Sequence, residues 1–408
     1  MYRYFIVADN VYYIVLLTFA RCAFLIYFDN AATTFFKPQE VINAAVNTVK
    51  NLSVNPGRAA HFLSVKGSAL MWHARTSLAD FFGCDDPSRV IFTSGCTHAL
   101  NAAIFGSNLY GKHVITTALE HNAVLRPLFE LKRRGHISLT VIYPGDDGTI
   151  DPSSVLQAIR QSTALVAMTH VSNVTGAVNP VEKTGEICYK NGILFLVDAA
   201  QSAGHIPLDV KKCHVDMLAL PAHKGLHALP GCGALILSEK AEITPFIFGG
   251  TGTNSSSLVQ PASYPEGLEA GTLNLPGIAA MARAANLCKS EFSSRKQKLE
   301  TLTRLLFKGL SEIKGVRIYS PESSPSGIVS FNLPHLDSGE VADILSEKHR
   351  ACVRSGLHCA PLLHRATGTE QKGIVRASLS FCNTEEEVAE FVKATKEISQ
   401  QQNKSPRF

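Results

Sequence analysis

Two polar side chains stand directly after short apolar segments, where a sheet would present them side by side. Asp198 ends the run 195–198, and Lys224 follows the run 217–220 within a turn rich in Gly and Pro. Taken singly, Asp198 is more simply a helix cap and Lys224 a solvated surface residue. As a pair on neighbouring strand ends, they supply what pyridoxal phosphate (PLP) chemistry needs. The lysine supplies an amine that forms a Schiff base, and the aspartate supplies a carboxylate that faces the pyridine nitrogen.

A strand end followed by a helix start at residues 93–101 provides a candidate phosphate site. Cys96 and Thr97 begin this helix, and the backbone N–H groups of a helix start bind anions. Many α/β turns have this composition, so the turn alone identifies nothing. It becomes informative as the phosphate cradle of a Lys–Asp site for PLP.

Cys359 is the candidate nucleophile. It lies in a loop rich in Gly and Pro, residues 353–361, between Arg354 and His358. Positive charge next to a thiol favours the thiolate, which is the nucleophilic form. The simpler alternative is an ordinary loop cysteine, and the presence of ten cysteines in the chain strengthens that alternative.

Seven short apolar runs alternate with helical patterns between residues 85 and 240, which places the strand-end residues on one sheet. Alternation of this kind, with continuous apolar strands, predicts a mostly parallel seven-stranded sheet that helices cover on both faces. The predicted fold class is therefore α/β. The predicted strands are residues 90–93, 114–117, 139–143, 164–169, 193–198, 217–220 and 234–237.

The rest of the chain predicts a long loop followed by a smaller α+β unit. Gly, Ser, Thr and Pro dominate residues 245–280, which indicates a functional loop. Thr384 and Glu387 form a capping box at the start of the last helix. The other predicted elements are helices at 277–312 and 340–349 and strands at 328–332 and 375–379.

Composition and charge exclude several classes of protein. Of 408 residues, 45% are hydrophobic and 18% are charged, so the chain can bury a large core and is not intrinsically disordered. The net charge is +5, and no Lys/Arg run is long enough to indicate nucleic-acid binding. The ten cysteines are scattered without a CxxC pair, which favours free thiols in a reducing compartment and predicts no metal site.

Residues 1–25 form an apolar extension that fits no targeting class well. Arg21 follows its apolar run, 11–20, whereas a spanning helix needs about 20 apolar residues without a central charge. Asp9 and Arg21 also fit a signal peptide poorly. We expect a poorly ordered or mis-started extension that activity does not need. A membrane anchor or a cleaved signal is the alternative.

Taken together, the motifs resemble those of the cysteine desulfurase and selenocysteine lyase family, class V aminotransferases of PLP fold type I. Any one motif is common, but their combination in this order is specific. The resemblance extends from Tyr27 to about Glu397. Besides the segments above, it rests on residues 27–34 (YFDNAATT), 55–58 (NPGR), 118–123 (ALEHNA), 170–176 (HVSNVTG), 269–272 (EAGT) and 375–379 (VRASL).

The resemblance implies a role for each candidate in cofactor binding. Lys224 corresponds to the Schiff-base lysine and Asp198 to the carboxylate on the pyridine nitrogen. Gln201 corresponds to the partner of the ring hydroxyl and His121 to the histidine stacked on the ring. Thr97 and His223 correspond to phosphate ligands, and Cys96 corresponds to one that binds through its backbone N–H. Thr272 corresponds to a phosphate ligand that the other subunit of a dimer supplies. One departure is that Pro221-Ala222-His223 replaces the usual Ser-Gly-His before the lysine, so one hydroxyl ligand is missing.

The resemblance also implies the groups that act on the substrate. Asn173 and Arg376 correspond to residues that hold the substrate carboxylate, and Arg354 is a weaker assignment to the same pocket. Cys359 corresponds to the nucleophile that accepts sulfur. The predicted catalytic residues are therefore Lys224, Cys359 and His121.

From the resemblance we expect two domains around one PLP site. The large domain would cover residues 37–270, and a small domain with the cysteine loop would combine 26–36 with 285–400. The implied activity converts L-cysteine to L-alanine. It leaves a persulfide on Cys359 that passes to an acceptor protein, as in iron–sulfur cluster assembly.

Other functions stay open at this stage. The enzymatic alternatives are a selenocysteine lyase acting on L-selenocysteine and another class V lyase or aminotransferase. A non-catalytic, membrane-anchored sulfur carrier is disfavoured because the catalytic set is intact. The expected state is a cytoplasmic homodimer that binds neither nucleic acid nor membrane.

Overall fold

The computed structural model describes residues 25–57, 59, 61–253, 255–322 and 324–402. The predicted N-terminal extension, residues 1–25, lies outside the described residues except for Leu25, and so does Arg58 of the motif at 55–58. No helix in the described ranges is both long enough and apolar enough to cross a membrane.

Strands and helices alternate through the first two thirds of the described chain. The strands are β1 (Ile26–Tyr27), β2 (Val90–Thr93), β3 (Lys112–Thr117), β4 (Ile137–Ile142), β5 (Thr163–Thr169), β6 (Leu194–Asp198), β7 (Met217–Pro221), β8 (Gly233–Leu237), β9 (Arg317–Ile318), β10 (Ile328–Asn332), β11 (Ala351–Cys352) and β12 (Val375–Ser378). The helices are α1 (Gln39–Asn51), α2 (Phe62–Phe82), α3 (Cys96–Gly106), α4 (Asn122–Arg133), α5 (Pro152–Ala158), α6 (Val181–Lys190), α7 (Leu275–Ser311), α8 (Ser338–His349), α9 (Pro361–Thr367) and α10 (Glu385–Gln402).

Seven strands form the central sheet in the order β2-β8-β7-β6-β5-β3-β4. Strand β8 runs antiparallel to both of its neighbours, and the other pairs are parallel. The prediction of a mostly parallel seven-stranded sheet is therefore confirmed. The strand predicted at 139–143 begins earlier, because Ile137 and Ser138 pair with Lys112 and His113, whose polar character hid this part of the strand.

Alternate residues of each central strand pack on opposite faces of the sheet. Phe195 and Val197 belong to one apolar core, and Leu196 between them belongs to the other. This follows from the two-residue period of a strand. Helices α1, α2 and α7 pack on the first face and α3 and α4 on the second. Each fully buried large apolar side chain contributes about 1.5–3 kcal/mol to the free energy of unfolding. Packing on both faces therefore holds the sheet in place.

A third core lies beside the small C-terminal sheet. Strand β10 pairs with β12 and β9, and β1 pairs with β11, so the start of the described chain is tied to its C-terminal part. Phe28 and Phe331 both pack against Phe391 in this core. The predicted caps are present, since Thr384 and Glu387 exchange both hydrogen bonds of a capping box. The predicted domain boundaries stay a prediction, and the one near 285 falls within the continuous helix α7.

Candidate active site

A cavity of about 360 Å³ opens at the carboxyl edge of the parallel strands β5, β6 and β7. Ligands of open α/β sheets bind at this edge, and the volume is in the range of small-molecule sites. Cys359 and Thr272 are the two predicted site residues that do not line the cavity. The predicted residues that do line it are Cys96, Thr97, His121, Asn173, Asp198, Gln201, His223, Lys224, Arg354 and Arg376.

The Lys–Asp pair is positioned by two adjacent parallel strands. Asp198 is the last residue of β6 and pairs in register with Ala219 of β7, after which the chain continues to Lys224. Asp198 is buried, and its Oδ1 accepts a hydrogen bond of 2.8 Å from the Ala200 backbone N–H. Its Oδ2 has no hydrogen-bond partner within the described ranges, so this oxygen can accept one from a ligand.

The surroundings of Lys224 favour its uncharged amine. Burial lowers the pKa of Lys224, and the nearby Arg376 and Arg354 lower it further, whereas the negative charge of Asp198 opposes the shift. A neutral amine is the nucleophile that a Schiff base requires. The turn that carries this lysine is tied to the N-terminal segment, because Thr34 donates to the carbonyl oxygen of His223 from both its N–H and its hydroxyl.

Cys96 contacts the carboxylate of the pair through its side chain. Its Sγ lies 3.5 Å from Asp198 Oδ1 and donates a hydrogen bond to it. Burial raises the pKa of Cys96 well above its ordinary value, and the charge of Asp198 adds to this effect. Cys96 is therefore a thiol rather than a thiolate, and the sequence prediction, which used only its backbone N–H, missed this contact.

His121 is held at the start of α4. It is the N-cap of that helix, and its Nδ1 accepts a hydrogen bond of 3.0 Å from the Ala123 backbone N–H. Burial lowers the pKa of His121, the positive charges of Lys224 and Arg354 lower it further, and Asp198 opposes the shift. The ring is therefore neutral, and because Nδ1 accepts, its proton lies on Nε2.

The start of α3 and the turn before Lys224, which the sequence predicts to bind phosphate, both line the cavity. His223 Nδ1 is buried without a hydrogen-bond partner in the described part, and burial lowers the pKa of His223 to about 4. Ala222 is fully buried and has no hydroxyl to offer. Ser94 and His98 also line the cavity but were missed, although both lie in the turn at 93–101.

Arg376 lines the same cavity from strand β12. It is 1% exposed, its Nη1 donates to the Asn173 carbonyl oxygen at 2.8 Å, and its Nη2 pairs with Asp29 Oδ1 at 3.0 Å. Burial lowers the pKa of Arg376 to about 10, which still leaves it charged at neutral pH. Its Nε is buried and unpaired within the described residues, and Arg354 is bridged to it by paired backbone hydrogen bonds.

The cysteine loop is fixed to this cavity by its backbone. His358 and Cys359 both have left-handed conformations, with φ of 47° and 57°, which cost about 1–2 kcal/mol per residue. Asn173 Nδ2 donates to the His358 carbonyl oxygen at 2.7 Å, and the Asn122 N–H donates to that of Cys359 at 2.7 Å. The loop therefore places the half-buried Cys359 next to the first turn of α4, whose N-cap is His121.

The expectation that His358 supplies positive charge to Cys359 is wrong. Burial lowers the pKa of His358 to about 3, and the charge of Arg376 adds to this effect. Its Nε2 donates to the Ile374 carbonyl oxygen at 2.9 Å. His358 is therefore a neutral residue that braces the loop, and Arg354 is the positive group of this motif.

Three further observations concern residues outside the cavity. Thr272 is exposed and does not line the cavity, so its predicted role requires a second subunit and stays a prediction. The nine cysteines within the described ranges are free thiols. Among the residues that the structure describes, no group of three or more His, Cys, Asp or Glu side chains could hold a metal ion.

Comparison with known proteins identifies the family of this chain. A family model described as aminotransferase class V matches residues 26–391. The chain therefore belongs to the class V aminotransferase family.

The relatives with printed names are more specific. A probable cysteine desulfurase of Methanothermobacter thermautotrophicus is 33% identical over 92% of this chain and 94% of its own. Cysteine desulfurase IscS of Proteus mirabilis is 33% identical over 89% and 90%. An apo structure of the cysteine desulfurase from Thermococcus onnurineus has a TM-score of 0.87 and 32% identity, and covers 98% of this chain and 100% of that one.

Proposed function

We propose that the protein is a PLP-dependent cysteine desulfurase that converts L-cysteine to L-alanine and retains the sulfur as a persulfide on Cys359. One observation carries the proposal: Lys224, Asp198 and Arg376 line a single cavity, and the loop of Cys359 is hydrogen-bonded to Asn173, which lines the same cavity. Membership of the family and the named relatives support the same activity.

The polar atoms left unpaired around the cavity fit PLP. Asp198 Oδ2 would hold the pyridine nitrogen, and the start of α3 with His223 Nδ1 would hold the phosphate. Gln201 donates one Nε2 proton to the Ala31 carbonyl oxygen at 3.0 Å and keeps a second for the ring hydroxyl. When bound through Lys224, PLP supplies an electron-accepting ring that stabilises negative charge on the substrate Cα.

The substrate carboxylate would bind at Arg376. The guanidinium of Arg376 is fixed by Asn173 and Asp29, so its remaining donors point in set directions. Arg354 lines the same cavity and adds positive charge. A fixed planar donor orients a carboxylate better than a flexible one, and this orientation selects which substrate bond is broken.

Lys224 and Cys359 would carry out the two chemical tasks. The amine of Lys224 removes the substrate Cα proton and returns a proton later, which its lowered pKa makes easier. The Cys359 thiolate attacks the substrate sulfur and forms an S–S bond. The C–S bond breaks, its electron pair stays on carbon, and protonation of that carbon gives alanine.

We also propose a homodimer in which Thr272 contributes to the partner's site. Trp72 is 54% exposed and lines one groove with Gly271 and Leu273, which flank the exposed Thr272. Phe248 is 73% exposed in the same long loop. Apolar side chains exposed at this density mark an interface. Light scattering is expected to show a dimer, and a monomer that binds PLP tightly would contradict this arrangement.

The persulfide would be transferred to an acceptor protein at the surface of the small domain. Cys359 is half-buried and follows Leu357, whose side chain is exposed, so a partner can reach the loop. The free thiols support a reducing compartment such as the cytoplasm.

The test is a paired assay with L-cysteine and L-selenocysteine on the PLP-loaded protein. Alanine and sulfide or selenide are measured together, with and without a thiol reductant. We expect stoichiometric alanine and sulfide from cysteine. Alanine from selenocysteine alone would replace the proposal with a selenocysteine lyase, and keto-acid formation would replace it with an aminotransferase.

A further inference from the structure

Glu120 is a fully buried carboxyl group between the end of β3 and the start of α4. Its Oε1 accepts hydrogen bonds from the Thr117 hydroxyl at 2.7 Å and from the Thr169 backbone N–H at 2.9 Å. Its Oε2 is buried and has no partner within the described residues. The acid therefore joins the ends of β3 and β5 through one oxygen only.

The residues that follow Glu120 lead directly to both sides of the cavity. His121 lines the cavity, and the Asn122 N–H donates to the carbonyl oxygen of Cys359 at 2.7 Å. Thr169, to which Glu120 is bonded, also lines the cavity. One short segment thus connects the sheet, the histidine predicted to stack on PLP and the loop of the nucleophile.

The surroundings of Glu120 keep its carboxyl uncharged at neutral pH. Burial raises the pKa of Glu120 to about 8, and the negative charge of Asp198 on β6 adds to this, whereas the bonds from Thr117 and Thr169 oppose it. His121, the next residue, is neutral. Because Oε1 already accepts two hydrogen bonds, the proton lies on Oε2.

We propose that Glu120 is a positioning residue for the desulfurase reaction, whose buried carboxyl holds His121 and Cys359 in register across the cavity. The inference rests on the proposed function, because it concerns the alignment of a ring-stacking residue with a sulfur nucleophile. Removing the carboxyl would release the segment 120–122 from the sheet. Ionising it would place a second negative charge near Asp198 and disturb the same segment.

Glu120→Gln and Glu120→Ala separate these effects, and Glu186→Gln is the matched control because Glu186 is an exposed helical glutamate paired with Lys190. Gln keeps the Oε1 acceptor and cannot ionise. We expect E120Q to retain kcat for cysteine within about threefold at pH 7 and E120A to lose about 10- to 100-fold, with KM and PLP content nearly unchanged.

The pH profile is a readout that a purely structural role would not move. If Glu120 ionises near pH 8, the wild-type kcat should fall about fivefold between pH 8 and pH 9, and E120Q should lack this fall. E186Q should follow the wild type. Identical wild-type and E120Q profiles, together with an E120A protein that is active within threefold, would overturn the proposal.

The alkylation rate of Cys359 by iodoacetamide gives a second measurement that does not need turnover. We expect E120A to change this rate by about threefold or more, while E120Q and E186Q leave it unchanged. If E120A does not fold, the E120Q pH profile decides. A wild-type protein that does not turn over cysteine would refute the proposed function. The alkylation rates would then still report whether Glu120 positions the loop, and equal rates would overturn it.

Discussion

The two sides of the cavity are built in different ways. On the side where we propose that PLP binds, the cofactor side, Asp198 ends strand β6, Lys224 follows the adjacent strand β7, and the first turn of α3 would hold the phosphate. On the sulfur side, Cys359 lies in a loop with two consecutive left-handed residues. That loop is held by hydrogen bonds from Asn122 and Asn173, which are remote in sequence.

The difference lies in what keeps each group in place. Regular strands and helices satisfy their own backbone hydrogen bonds, so the cofactor side depends mainly on the sheet and its two apolar cores. The cysteine loop has a strained backbone that persists only because a few long-range contacts hold it. Changes on the first side should therefore affect PLP binding and all chemistry, whereas changes on the second should affect sulfur transfer alone.

The largest effect is expected for Lys224→Ala on the cofactor side. Loss of the amine removes both the covalent link to PLP and the proton carrier, so cysteine turnover should fall by at least about 10³-fold. The absorbance spectrum of the bound cofactor should change as well. Lys190→Ala, which alters an exposed lysine, is the control and should behave as the wild type. An unchanged spectrum in the K224A protein would contradict the assignment.

Cys359→Ala should have nearly as large an effect, but only on sulfur chemistry. Without the thiolate, cysteine turnover is expected to fall by about 10²-fold or more, while the PLP spectrum and content stay as in the wild type. Part of any selenocysteine activity should remain, because selenium leaves more easily. Cys352→Ala, at another half-buried cysteine, should retain full activity. Full cysteine turnover by C359A would show that the Cys359 loop has no separate role in sulfur transfer.

Two neutral histidines report on the two sides separately. His223 would contact the PLP phosphate, and binding of PLP should raise its pKa from about 4 by roughly one unit or more, because an anion favours imidazolium. His358 on the sulfur side should keep its pKa near 3. An NMR titration of both imidazoles with and without PLP measures this. Equal pKa changes at both histidines would show that bound PLP affects the two sides alike.

The low pKa of His358 makes the stability of the sulfur side sensitive to acid. In the unfolded chain His358 titrates near its ordinary value of 6.5, whereas in the folded protein it titrates near 3. Its contribution to the free energy of unfolding is therefore complete above pH 6.5 and is lost as the pH falls towards 3, by at most about 1.4 kcal/mol per pH unit. His358→Gln should flatten this dependence in denaturant titrations. A steeper dependence would contradict it.

The smallest effect is expected for Cys96→Ala. An S–H group is a weak donor, and the Ala200 N–H still bonds to the same oxygen of Asp198. Cysteine turnover should stay within about threefold of the wild type, with a small change in the pH dependence of the PLP spectrum. Cys188→Ala, in the core, is the control. A loss as large as that of C359A would make Cys96 a second functional thiol.

Much of the cofactor side could be predicted from the sequence because its signals are local. Continuous apolar runs identify buried strands, and a polar residue at the end of such a run must lie at the sheet edge. Asp198 and Lys224 are therefore brought together by neighbouring strands, as predicted. The capping box of Thr384 and Glu387 could likewise be predicted from the sequence, since both of its hydrogen bonds join residues three positions apart.

The charge states and the contacts that hold the cysteine loop were decided by tertiary structure. His358 looks like a positive neighbour of Cys359 in sequence, but it is buried against the Ile374 carbonyl and is neutral. Glu120 reads as an ordinary acid beside His121, yet burial and the charge of Asp198 keep it protonated. Burial, dielectric environment and hydrogen bonds between distant segments set these properties. They arise only when residues far apart in the chain meet, so no local pattern encodes them.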